Sequence, residues 1–165
     1  MMKEFRKAVV ALSIIMCSLL STGCDSGYDC TLDNIAYNRI KFYIADKNGI
    51  ESEYSYPEAL TASIMVNGEA MIVVNHLTNA KELTLPVSYT NNCDTVILNF
   101  FEHYYDTLYI HHNNIPFYQS MECGVIMHHK LTDTRHTENF IDSMAINNAD
   151  INFNNNENIK LYFIE

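Results

Sequence analysis

The chain has 165 residues, with ten Lys and Arg against 20 Asp and Glu, for a net charge of −10. That acidity repels nucleic acid and anionic lipid surfaces, so no nucleic-acid partner is expected. A makeup that is 48% hydrophobic, with 11 Tyr, 8 Phe and only 5 Gly and 3 Pro, excludes a disordered chain and leans towards β-structure.

The first two dozen residues read as a secretory signal. Lys3, Arg6 and Lys7 make a basic start, and Ala8 to Leu20 make an apolar run of 13 residues. A bilayer-spanning helix needs about 20 apolar residues, whereas a signal-peptide helix needs about 7–15. Leu19-Leu20-Ser21-Thr22-Gly23-Cys24 then looks like a lipobox, with lipid expected on Cys24. The alternative is a cleaved signal without lipid. Leu20 stands one step further from the cysteine than the usual pattern has it, and Ser21 takes its place. Residues 1–23 carry +2 net, so the remaining 142 carry −12. The expected layout is a signal peptide over 1–23, a lipidated tether over 24–38, and one domain over 39–165. The expected location is the outer membrane, lipid-anchored, facing the periplasm or the surface.

With Cys17 in the signal and Cys24 taking lipid, Cys30, Cys93 and Cys123 remain in an oxidising compartment. One disulfide and one free thiol is the simplest outcome. Cys30–Cys123 is the expected pair, because it staples the loose tether; closing so long a loop is worth about 4 kcal/mol in the chain-entropy model. Three reduced cysteines is the alternative, since connectivity is not readable from sequence.

The rest of the chain alternates with period two, the strand signal. Ile40, Phe42 and Ile44 alternate with Lys41 and Tyr43. Ala62–Val66 and Ala70–Val74 flank Asn67-Gly68, a hairpin signal. Tyr56–Leu60 has room for a brief turn of helix. Leu83–Tyr89 carries Pro86, which suits an edge. Val96, Leu98 and Phe100 face one way, as do Leu108 and Ile110 after a short loop over Glu102–Asp106. Phe117–Leu131 and Phe140–Ile146 follow, and Ile159, Leu161 and Phe163 end the chain. Eight or nine short strands predict an all-β fold, an antiparallel β-sandwich of immunoglobulin-like type after the signal-peptide helix, with a barrel as the alternative.

No catalytic signature is present. There is no Gly-x-Ser-x-Gly, phosphate loop or His-Glu-x-x-His. Cys93 and Cys123 pair with a histidine only on paper. Asp106 and Asp142 are expected to make local turn bonds at strand ends. The pairs His111-His112 and His128-His129 point to opposite faces of their strands, so a site would have to form across strands, for example from His111 and His128; solvent-facing histidines are expected instead. Asp150-Ile151-Asn152-Phe153-Asn154 begins like a calcium loop. It then offers Asn155 and Leu161 where Gly and Glu are needed, and reads as a turn. No metal and no cofactor is expected. Tyr43, Tyr109 and Tyr162 sit opposite the apolar residues of their strands and are the candidate interaction surface, if those strands adjoin; cross-strand tyrosine pairs that stabilise the sheet are the plainer reading.

The later chain resembles a family of small lipoproteins of Bacteroides and relatives, classed as domain of unknown function 6452. The residues that carry this are Cys30, Phe42-Tyr43, Asp106-Thr107-Leu108, Cys123-Gly124, His136 to Ser143, and Glu157 to Phe163. The resemblance implies a β-rich lipoprotein outside the cytoplasm and supports the Cys30–Cys123 pair. It brings no activity or catalytic residue. The expected function is a non-enzymatic envelope lipoprotein, an accessory or interaction module with the bilayer and an envelope protein as partners. The alternative is a ligand-binding lipoprotein for a glycan or a metal ion.

Overall fold

A computed structural model describes residues 35–101, 104–121 and 123–164. The signal segment, Cys24 and Cys30 fall outside the described residues. Eleven strands follow in order: β1 (Tyr37–Ala45), β2 (Glu51–Glu53), β3 (Leu60–Val66), β4 (Glu69–Leu77), β5 (Glu82–Pro86), β6 (Cys93–Phe101), β7 (Tyr104–Ser120), β8 (Gly124–His136), β9 (Ile141–Ile146), β10 (Asp150–Ile151) and β11 (Ile159–Phe163).

They form a β-sandwich of two open sheets. One runs β2-β1-β11-β9, with β5 also on β1; the other runs β10-β8-β7-β6-β3-β4. Eleven strands stand where eight or nine were expected. The surplus includes β2 and β10, which are too short to show a pattern of their own. The pairing is antiparallel except between β1 and β11, which run parallel with Phe42 against Leu161 and Tyr43 against Tyr162. Parallel neighbours need a long connection, here nearly the whole domain.

Alternation decides which side chains go inside. On β1, Asn38, Ile40 and Phe42 are buried between half-buried neighbours, and β11 buries Ile159, Leu161 and Phe163. The facing sheet contributes Leu60, Val96, Leu98, Phe100, Leu108 and Ile110. Phe163 joins the layers, with its ring 5.1 Å from Phe42 and 5.7 Å from Phe100. Asn67 and Gly68 have φ of 52° and 86°, both left-handed, as a two-residue type I′ hairpin turn demands. Pro86 ends β5, which pairs only with β1, so its missing donor costs no ladder bond. Tyr56 forms no helical turn; it bridges to Ala80 and is buried against Phe100.

Candidate functional site

Three regions carry the chain's concentrated chemistry. The first is a polar seam under Asp106, at the start of β7. Its carboxylate is fully buried and accepts from the Thr137 hydroxyl (2.7 Å), Asn139 N–H (2.9 Å), Phe140 N–H (2.7 Å) and Ile141 N–H (3.1 Å), with the Asn139 amide at 3.2 Å. These are contacts 31–35 residues away, not the local turn bonds expected. A buried carboxylate saturated by donors is a structural clamp. Asp142 does behave locally, accepting from Ser143 at 3.1 Å, and the two carboxylates form no acid–base pair. Asn158 repeats the device. Its buried amide donates to Asn148 O and Asp150 O and accepts from Arg39 N–H, tying β1 to the loops around β10.

The second region is a histidine seam across β7 and β8. His112 and His129 are buried rather than solvent-facing, which corrects the expectation from sequence. A bulge between His111 and His112 shifts the register, so His129 pairs with Asn114 and meets His112 diagonally, ring centroids 5.3 Å apart. His129 Nδ1 lies 2.7 Å from Asn114 Oδ1, and the Tyr89 ring stacks on it at 5.7 Å. His112 Nε2 lies 3.3 Å from Asp94 Oδ2, within ion-pair range but too poorly aligned for a hydrogen bond. Burial, reinforced by neighbouring His112, holds His129 down at about 4, so this imidazole is neutral at pH 7.

His128 turns away, sandwiched by Phe117 at 4.9 Å and Phe153 at 5.3 Å. His111 faces Cys93, with Nε2 3.8 Å from Sγ. Burial and Asp94 raise the Cys93 thiol, the opposite of what a nucleophilic thiolate needs. Among the described residues no group of three His, Cys, Asp or Glu converges to hold a metal ion. The Asp150 segment is not a turn throughout: Asp150 and Ile151 form β10, paired with Lys130 and His129 of β8, and the chain turns only after them, with Asn155 at φ 52° and Ile151 buried.

The third region is the outer face of the β1–β11 sheet. Tyr43 and Tyr162 are side by side at 5.9 Å. Tyr43 donates to Glu157 (2.8 Å) and Tyr162 to Glu51 (2.6 Å), while Lys160 lies 5.0 Å over the Tyr43 ring. Burial, then the carboxylate each phenol donates to, pushes both up to about 12. Lys41 adds Glu53 at 3.1 Å. Charge and hydroxyls are spent on one another, as in a cross-strand network that stabilises a sheet. Tyr109 does not join them. It lies on β7 of the other sheet, across from Thr95 and Arg135, so the three tyrosines form no single stripe.

Cys123 is disulfide-bonded and Cys93 is free. The Cys123 partner falls outside the described residues, as does the expected Cys30. Sequence reading missed the Asp106 clamp and the His112–His129 contact, because both depend on pairing across the sheet.

No curated protein and no solved structure matches the chain. A family profile does, over residues 60–163, which takes in β3 to β11, the Asp106 clamp, the histidine seam and Asn158. The match covers more than half the chain, and its description is a family of unknown function, DUF6452; the chain belongs to that family.

Proposed function

We propose that this chain is a lipoprotein of a Bacteroides-type cell envelope, anchored in the outer membrane by lipid on Cys24, and acting there as a non-catalytic accessory or interaction module. The observation that carries the reading is the N-terminal sequence. A basic start, a 13-residue apolar run and Gly23-Cys24 form the substrate of lipoprotein processing. Two acyl chains already suffice for stable anchoring. The chemistry of the domain supports the non-catalytic half. Its buried Asp106 carboxylate is saturated by donors, and its Cys93 thiol is pushed towards the protonated form. Each arrangement favours structure over turnover.

The test is metabolic labelling with palmitate, with membrane fractionation, of the full chain and of Cys24→Ala. Label on the parent and its loss in C24A support the reading; label that survives in C24A refutes it. In-cell crosslinking from Tyr109 then addresses the partner. A discrete adduct with an envelope protein supports an interaction module.

A further inference from the structure

The β7–β8 hairpin has an end that the sandwich does not use. The contiguous apolar core on this hairpin stops at Ile110 and Leu131; beyond them His112, His129 and Ile126 are the buried side chains. Past that core the strands run on to Ser120 and from Gly124, still paired. Between the uncharged Asn113, Asn114, Gln119 and Ser120, both faces expose apolar side chains. Tyr118 and Val125 face each other across the hairpin and are 59% and 64% exposed; Met121 at the turn is 90% exposed, with Ile115 and Phe117 also exposed. Folding of the domain gives no reason for this. A two-stranded ribbon at a water-facing edge ordinarily carries charge.

Charge is what this stretch lacks. Between His112 and His129 there is no Lys or Arg and a single carboxylate, Glu122, in a chain whose part after residue 23 carries −12. The first strand begins near the same end. Tyr37, at the start of β1, pairs with Pro86, three residues before Tyr89, whose ring lies on His129 where the hairpin leaves the core. Cys123, beside the turn, is disulfide-bonded, and Cys93 is free, which leaves a cysteine of the first 30 residues as its partner. If that partner is Cys30, it stands six residue steps from Cys24, a reach of about 20 Å at full extension.

We infer that this hairpin end, through Ile115, Tyr118, Met121 and Val125, seats in the headgroup region of the bilayer that holds the lipid; the inference rests on the lipoprotein reading above. Tyrosine and aliphatic side chains favour that interface, and the absence of basic residues selects a zwitterionic surface over an anionic one. The device gives the domain a fixed orientation. The hairpin end points to the membrane and the far end of the sandwich points away, in place of a domain swinging freely on its tether.

The chain has no Trp, so one substitution makes a clean depth reporter. Tyr118→Trp and Tyr109→Trp lie on the same strand nine residues apart, about 30 Å. The lipidated full chain is reconstituted into phosphatidylcholine vesicles with and without acyl-brominated lipid, and floated. The expected result is that Y118W is quenched at least two-fold more than Y109W and shifts to the blue on vesicle binding. Val125→Trp, directly across the hairpin, repeats the reading if Y118W folds poorly. Floating protein whose Y118W and V125W are quenched no more than Y109W overturns the inference and leaves the lipoprotein reading standing. A chain that carries no lipid and does not float overturns both.

Discussion

The two ends of the β7–β8 hairpin differ in kind. At the near end, Asp106, Leu108 and Ile110 are buried, and each oxygen of the carboxylate accepts from the 137–141 segment. At the far end, Ile115, Tyr118, Met121 and Val125 are exposed outside the contiguous core, and Ile126 alone among the apolar side chains there is buried. One strand pair therefore carries a polar group that folding needs inside and apolar groups that folding leaves outside. Stability explains the first and not the second, so function is better sought at the far end.

The sharpest way to break this comparison is at Asp106. Asp106→Asn puts an amide N–H₂ among donors that need an acceptor, stranding buried backbone N–H groups. The expected loss is on the order of 4 kcal/mol in urea unfolding. A loss below about 1 kcal/mol shows that the near end is not clamped as described.

The histidine seam lies between the two ends, and its signature is pH. The folded-state value of His129, about 4, lies below the unfolded 6.5, so between those values the unfolded chain binds the extra proton. Stability is full above about pH 6.5 and falls as the pH drops towards 4, by about 3 kcal/mol at most. Urea midpoints taken across that range check the sign. His129→Phe flattens the slope; an unchanged slope places the proton elsewhere.

Smaller effects are expected on the tyrosine face. Tyr162→Phe removes one bond to the part-exposed Glu51 and costs less than about 1 kcal/mol; Tyr43→Phe removes one to the more buried Glu157 and costs about 1 kcal/mol. At the far end the effect on folding is smallest of all. Tyr118→Ser or Val125→Ser changes stability in solution by about 0.5 kcal/mol or less. If either costs as much as a core residue, the far end belongs to the fold after all and the contrast fails.

What was legible in the sequence follows from the range of each interaction. Ile40/Phe42, Val96/Leu98/Phe100 and Ile159/Leu161/Phe163 alternate within one strand, so their inward face can be read locally. Asn67-Gly68 carries its turn geometry in its own residues. The Asp106 clamp was not legible because its donors lie more than 30 residues away. The buried His112–His129 contact was missed because a bulge after His111 sets the diagonal register, and no local pattern encodes a bulge. The parallel β1–β11 pair, which separates Tyr43 and Tyr162 from Tyr109, is a property of the whole topology. At the far end of the hairpin the sequence holds no Lys or Arg and one carboxylate between His112 and His129, a scarcity that went unread because only the exposure of Tyr118 and Val125 turns it into a surface.

The central claim is that the domain is held at a membrane by lipid on Cys24. The most direct measurement is intact-mass and N-terminal peptide mass analysis of the protein purified from the membranes of its own cell. The account predicts a mature chain that begins at Cys24 and carries diacylglycerol on its sulfur. A mature chain that begins elsewhere, or at an unmodified Cys24, contradicts it.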